Sequence, residues 1–195
     1  MRQRGYVAVL VCVTLGLAGC FRSPTPRFFT LSPMINETAS VEPSPQGARV
    51  GLVSLTLPTY LLDPRMSVVA GGNEVVRDEF ERWAEDLDEN FRRVLLENLS
   101  RELVSSNVAA IDGISAQPGT HMLRVEVLRF DADTEGVARL RVRWNLSSEA
   151  STGVFVISEW SEAVQDPTTQ MRVKALSGLV SVFAREVASR VTRGA

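Results

Sequence analysis

The sequence predicts an α+β protein: a two-layer sandwich with a mixed or antiparallel sheet of about six to seven strands and two amphipathic helices on one face. Three observations carry that reading. Two segments, one near 85–104 and one from Asp166 nearly to the C-terminus, place apolar residues three or four apart among charged ones. Between 121 and 164 the period drops to that of strands. One of those strands has two plain faces, with Leu140, Val142, Trp144 and Leu146 on one side and Arg139, Arg141, Arg143 and Asn145 on the other. A sheet with one dry and one wet face stacks its helices on the dry side.

The elements follow in order. Residues 21–26, with Pro24 and Pro26, read as a short tether, with a reach of about 20 Å if fully extended. Phe28, Phe29 and Leu31 suggest a first strand, and the Pro- and Gly-bearing stretch 33–47 a surface loop. Arg49 to Leu57 is rich in Val and Leu and is stopped by Pro58. Met66–Ala70 and Glu74–Trp83 flank Gly71-Gly72-Asn73 and predict a hairpin. Leu87, Phe91, Val94, Leu95, Leu99 and Leu103 then define the first helix, from about Glu85 to Val104. A short strand at Val108–Ile111 precedes three longer ones, near 121–131, 136–148 and 153–164. The last helix is expected to open with Asp166 as N-cap and Pro167 at its first position, burying Leu176, Val180, Phe183, Val187 and Val191. The expected organisation is one domain over 27–195, with no internal repeat.

The N-terminus adds an address. Arg2 and Arg4 precede an apolar run from Tyr6 to Ala18, and Leu17-Ala18-Gly19-Cys20 has the form of a bacterial lipobox. Residues 1–19 are therefore expected to be removed and Cys20 acylated. Several acyl chains, at about 0.8 kcal/mol per buried methylene, hold a protein at a membrane far more firmly than one. Phe21 stands where an aspartate commonly marks retention at the inner membrane, so the expected location is the outer membrane, facing the periplasm.

Composition excludes several functions. Loss of Arg2 and Arg4 leaves the 23 acidic residues in excess over the basic ones, which gives no electrostatic reason to expect nucleic acid. Cys12 lies in the leader and Cys20 is the acylation site, so no thiol remains for a disulfide, metal site or nucleophile. With His121 the single histidine, no cofactor or metal is expected and no catalytic residue is assigned. The carboxylates Glu79, Glu81, Glu85, Asp86, Asp88 and Glu89 read either as a solvated strand edge and an acidic first helical turn, or as a site for a divalent cation or a basic partner. Trp83 and Trp144 read as core. Two segments remain as candidate contact surfaces. The stripe Arg139, Arg141 and Arg143 is either a wet face paired with Glu126 or Glu159, or a docking face for an anionic partner or lipid headgroups. Tyr60, Leu61 and Leu62 lie in a segment without periodicity and are either a plug into the core or an exposed contact.

Leu57-Pro58-Thr59-Tyr60-Leu61, Asp63-Pro64, Gly72-Asn73 and Arg82-Trp83-Ala84-Glu85-Asp86-Leu87 resemble the ABC-type transport auxiliary lipoproteins, the PqiC-like family. The likeness continues through Phe28-Phe29-x-Leu31, Asn98-Leu99, Phe130 and Leu140-x-x-x-Trp144, nearly the whole mature chain. It departs in one place: the family usually has arginine before the proline, whereas here Pro64 precedes Arg65. The resemblance implies a non-enzymatic outer-membrane subunit of a lipid-transport system, docking or gating a periplasm-spanning MCE-domain protein that works with an inner-membrane permease. Pro58, Tyr60, Leu61, Leu62 and Asp63 are the expected partner contact, and the membrane itself is met through acylated Cys20. A homo-oligomer would suit a ring-shaped partner. The alternative is an envelope-assembly or structural lipoprotein without a transport role.

Overall fold

A computed structural model describes residues 24–34, 48–105, 107–111, 117–165 and 167–193. Cys20 and the expected leader, residues 1–19, lie outside these residues. The described chain forms β1 (Arg27–Phe29), β2 (Arg49–Thr56), β3 (Arg65–Ala70), β4 (Glu74–Trp83), α1 (Leu87–Glu102), β5 (Val108–Ala110), β6 (Thr120–Asp133), β7 (Val137–Ser147), β8 (Val156–Ala163) and α2 (Thr169–Thr192). The α+β sandwich is the fold. Its sheet is mixed and holds eight strands among the described residues, because the short β1 and β5 also pair.

β6 organises the sheet. Most of its length pairs antiparallel with β7, from Met122 opposite Ser147 to Ala132 opposite Ala138. Its other edge is shared. β2 runs parallel to Thr120–Glu126, leaves the edge, and the chain returns as β3 with Val68 and Val69 beside Ala132 and Asp133. Pro58 has no N–H to give a ladder, so β2 ends before it. The departing chain closes a single 3-10 turn, Thr59–Leu61, in which the amide of Leu61 donates to the carbonyl of Pro58 at 3.0 Å.

β3 and β4 form the expected hairpin, with an irregularity that the sequence does not reveal. Arg65 pairs with Arg82 and Ser67 with Arg77, so residues 78–81 stand out against Met66 alone. Asp78 accepts from the amides of Phe80 and Glu81 and supports the bulge. Beyond it, Glu81–Trp83 turn to a new partner and pair parallel with Arg27–Phe29 of β1.

Both helices cover the face that carries Leu140, Val142 and Trp144. α1 buries Leu87, Phe91, Val94, Leu95 and Leu99, and α2 buries Leu176, Val180, Phe183, Val187 and Val191. Phe91 meets Phe130 edge-on at 5.2 Å, and Trp144 meets Phe183 at 5.7 Å, the edge-to-face arrangement that aromatic quadrupoles favour. Trp83 and Trp144 are both core. The N-cap of α2 is Thr168, whose hydroxyl accepts from the Met171 amide; Pro167 precedes the helix rather than opening it, and Asp166 lies outside the described residues. α1 starts at Leu87 after Asp86 and ends in a Schellman turn. There the Val104 amide donates to Arg101 and the Ser105 amide to Ser100, with Val104 at φ 46°.

The first strand also ends sooner than expected. Leu31 does not continue β1 but is buried in the core, and its amide donates to Asn90 Oδ1 at 2.7 Å. Ser32 donates to Ser177 Oγ and Met34 to Asn98 Oδ1. Helix side chains replace a neighbouring strand, so this strap keeps its backbone partners without joining the sheet.

Candidate docking groove

The uncovered face of the sheet carries the arginine stripe, and each member has a carboxylate partner. Arg143 Nε donates to Glu126 at 2.7 Å, Arg141 lies 3.6 Å from Glu159, and Arg139 pairs with Asp133. Cross-strand register sets two of these pairs, since Arg143 stands opposite Glu126 and Arg141 opposite Glu159. Asp133 does more than neutralise Arg139. It also accepts from the amides of Glu135 and Val137, closing the β6–β7 turn. Burial alone would raise its pKa, but these amides and the Arg139 guanidinium outweigh it and hold the carboxyl below its ordinary value.

The gap between β2 and β3 brings the two candidate segments together. Tyr60, carried into that gap by the 3-10 turn, lines one groove with Arg141 and Glu159 of the stripe strands. Leu128, Arg129 and Asp131 form its floor, and Val69, Gly72, Asn73 and Val75 of the hairpin its far wall. The groove encloses about 380 Å³. Asp131 is only 2 % exposed, although it sits on the wet face. Arg129 compensates that burial with a forked pair of bonds at 2.9–3.1 Å. Burial, then the nearby Asp131 carboxylate, push the Tyr60 phenol above its ordinary pKa, so it remains protonated at neutral pH. Asp131 and Arg129 gave no signal in the sequence beyond alternation; the topology alone makes them the floor of a groove.

The expected contact segment divides. Leu61 is buried in the core, Pro58, Tyr60 and Asp63 are half-buried, and Leu62 is 49 % exposed. Asp63 belongs to an ion cluster at the root of the hairpin. Arg65 grips it through Nε at 3.0 Å and Nη2 at 2.8 Å and reaches Glu79 at 2.7 Å, while Arg77 stands 3.3 Å from the same carboxylate. Bonds from the Arg65 side chain and then its amide hold the Asp63 carboxyl far below the ordinary range. The Pro64-Arg65 order therefore still delivers a guanidinium with fixed partners.

The remaining candidates are dispersed. Glu81 pairs with Arg27, Glu85 with Arg93 and Asn90, and Glu79 with Arg65. His121 lies at the start of β6 with Nδ1 buried, and burial lowers its pKa. Among the described residues no three His, Cys, Asp or Glu side chains gather as a metal site, and no helix is long and apolar enough to cross a membrane.

These features define a class: an α+β domain with helices over one sheet face and an ion-paired, shallowly grooved surface on the other. The chain belongs to the family of ABC-type transport auxiliary lipoprotein components, whose family model matches residues 29–188. Solved structures share the fold. A crystal structure of an uncharacterized protein superposes with a TM-score of 0.70 at 18 % identity, covering 86 % of this chain and 99 % of that one. A Xanthomonas campestris protein of the DUF330 family model gives 0.67 at 12 % identity, covering 85 % and 95 %. The PelC dodecamer from Paraburkholderia phytofirmans lies further off, at 0.38 and 12 % identity over 87 % and 93 %, and carries no argument about assembly. No curated protein matches the chain.

Proposed function

We propose that this transport auxiliary lipoprotein is a non-enzymatic docking subunit. It would be held through acylated Cys20 at the outer membrane, facing the periplasm, and would receive a periplasm-spanning MCE-domain protein that works with an inner-membrane permease. The observation that carries this reading is the meeting of Tyr60 with Arg141 and Glu159 in one groove, beside a segment that leaves Leu62 exposed. A half-buried aromatic ringed by charged pairs is the kind of anchor on which protein interfaces concentrate their energy. Leu61 contributes indirectly, by fixing the 3-10 turn to the core.

Crosslinking full-length lipoprotein in membranes, followed by affinity capture and mass spectrometry, tests the proposal. Cys20→Ala serves as the anchor control, and Leu62→Asp and Arg141→Glu as groove variants. Recovery of an MCE-domain protein that falls at least severalfold in all three supports the docking reading. Recovery of outer-membrane assembly proteins alone would overturn it in favour of a structural lipoprotein.

A further inference from the structure

One edge of the sheet is unlike the others. Among the described residues β8 pairs only with β7, which leaves the other side of an eight-residue strand without a neighbour. Edge strands are normally kept short, charged or interrupted, because an open row of N–H and C=O groups invites another strand. β1 and β5 obey that rule at three residues each. β8 contains neither proline nor glycine, and an apolar run leads into it. Val154 is 80 % exposed and Phe155 54 %, and within the strand Ile157 is 56 % exposed.

Behind that run lies a groove of about 300 Å³, lined by Trp144, Leu146, Val156 and Arg190. Its lining is held in place. The Arg190 guanidinium sits 4.7 Å from the Trp144 ring, Trp144 Nε1 donates to Ser158 at 3.1 Å, and Ser158 donates to Glu186 at 3.1 Å. Gly153 shapes its rim. At φ 65°, with a Cβ there falling 2.1 Å from the Leu146 carbonyl oxygen, only glycine fits.

The charges choose between occupants. The strand carries Glu159 and Glu162 and no cation, and among the described residues Glu159 is held only by Arg141 at 3.6 Å. A second copy laid antiparallel along β8 would bring its own Glu159 and Glu162 to the same edge and no cation to balance them. The chain's own β1 and β5 edges are too short to cover eight residues. A segment of a different protein, extended, apolar at alternate positions and bearing Lys or Arg, satisfies both the backbone and the charge.

We propose that β8 is a strand-addition site for such a segment, whose side chains on the helix face of the sheet enter the groove at Trp144. This site is separate from the groove at Tyr60 and does not rest on it.

Photo-crosslinking residues placed at Ile157 and Ser161 of the full-length lipoprotein in its native cells test the proposal, with Lys174 as a control position and Leu62 as a probe of the other groove. Both β8 probes should capture the same protein, at sites about four residues apart in its sequence, as paired strands advance together. Glu162→Lys, an exposed substitution, should reduce the yield severalfold. Capture of a second copy, an intrachain product, or a yield at β8 no higher than at Lys174 would overturn the proposal. An MCE-domain product from Leu62 alone would do the same while leaving the docking reading standing.

Discussion

The two halves of this sheet are built on different principles. Around β6 and β7, side chains from both helices close over Leu140, Val142 and Trp144, and stability comes from apolar area removed from water. The β3–β4 hairpin extends beyond that cover. Most of Glu74–Phe80 is exposed, and the hairpin is held by the Asp63, Arg65, Arg77 and Glu79 cluster, by the short pairing of Val68 and Val69 with β6, and by β1. Exposed ion pairs contribute little individually, at about 0–1 kcal/mol each. The groove at Tyr60 therefore has one wall from each kind of structure, a rigid floor on β6 and a weakly held rim on the hairpin. Such a rim can open without unfolding the domain, which suits a surface that must admit a partner.

The largest expected effect falls on the first region. Phe91 is fully buried against Phe130. Phe91→Ala should cost about 3–5 kcal/mol, the range for truncating a core aromatic. Chemical denaturation would give the global loss, and hydrogen exchange its distribution. Amides of β6, β7 and the helices should exchange faster by the full amount, while those of the β3–β4 tip change little. Equal acceleration in the hairpin would mean that the two regions open as one, and the contrast drawn above would fail.

A smaller, opposite effect comes from the end of α1. Val104 holds a left-handed conformation that a branched side chain adopts at a cost of roughly 1–2 kcal/mol, and it is exposed, so its side chain contributes little packing. Val104→Gly should raise the thermal midpoint, with a gain near 1 kcal/mol after the extra freedom of glycine in the unfolded chain is counted. The gain should appear in the exchange of the core amides and not in the hairpin. A loss of stability would show that the Val104 side chain has a role that its exposure hides.

How much of this was legible in the sequence follows the same division. The helix stripes were readable because burial on one side imposes a period: Leu176, Val180, Phe183, Val187 and Val191 are all buried. The two-faced β7 was readable for the same reason, although the sequence left its arginines open between pairing with carboxylates and an anionic docking face. What could not be read depends on partners distant in sequence. Leu31 looked like the end of a strand, but Asn90, Asn98 and Ser177 bind the strap to the helices, and nothing local distinguishes the two. The bulge at 78–81 is hidden because nothing in Glu74–Trp83 marks where the strand leaves β3 for β1. The floor of the groove, Arg129 and Asp131, exists only because β2 and β3 share one edge of β6.

The hairpin's ion cluster offers the most selective probe. Asp63 is held well below its ordinary value of 3.8 by its bonds from Arg65. A carboxylate depressed in the folded state contributes stability that is fully present above its unfolded pKa and is lost as pH falls below it. At about pH 6 the cluster should be intact, and toward about pH 3 and below its support should drain away. Glu85 and Asp133 are depressed too, so acid also weakens the rest of the molecule. The informative quantity is thus the difference between the parent and Asp63→Asn. Near neutrality the variant should speed exchange of the Val75–Arg77 amides with little change in the core, and on acidification that difference should shrink toward nothing. A difference that persists at low pH would show that Asp63 acts on the hairpin through shape and amide bonding rather than charge. The weakly held rim would then be insensitive to its ionic surroundings.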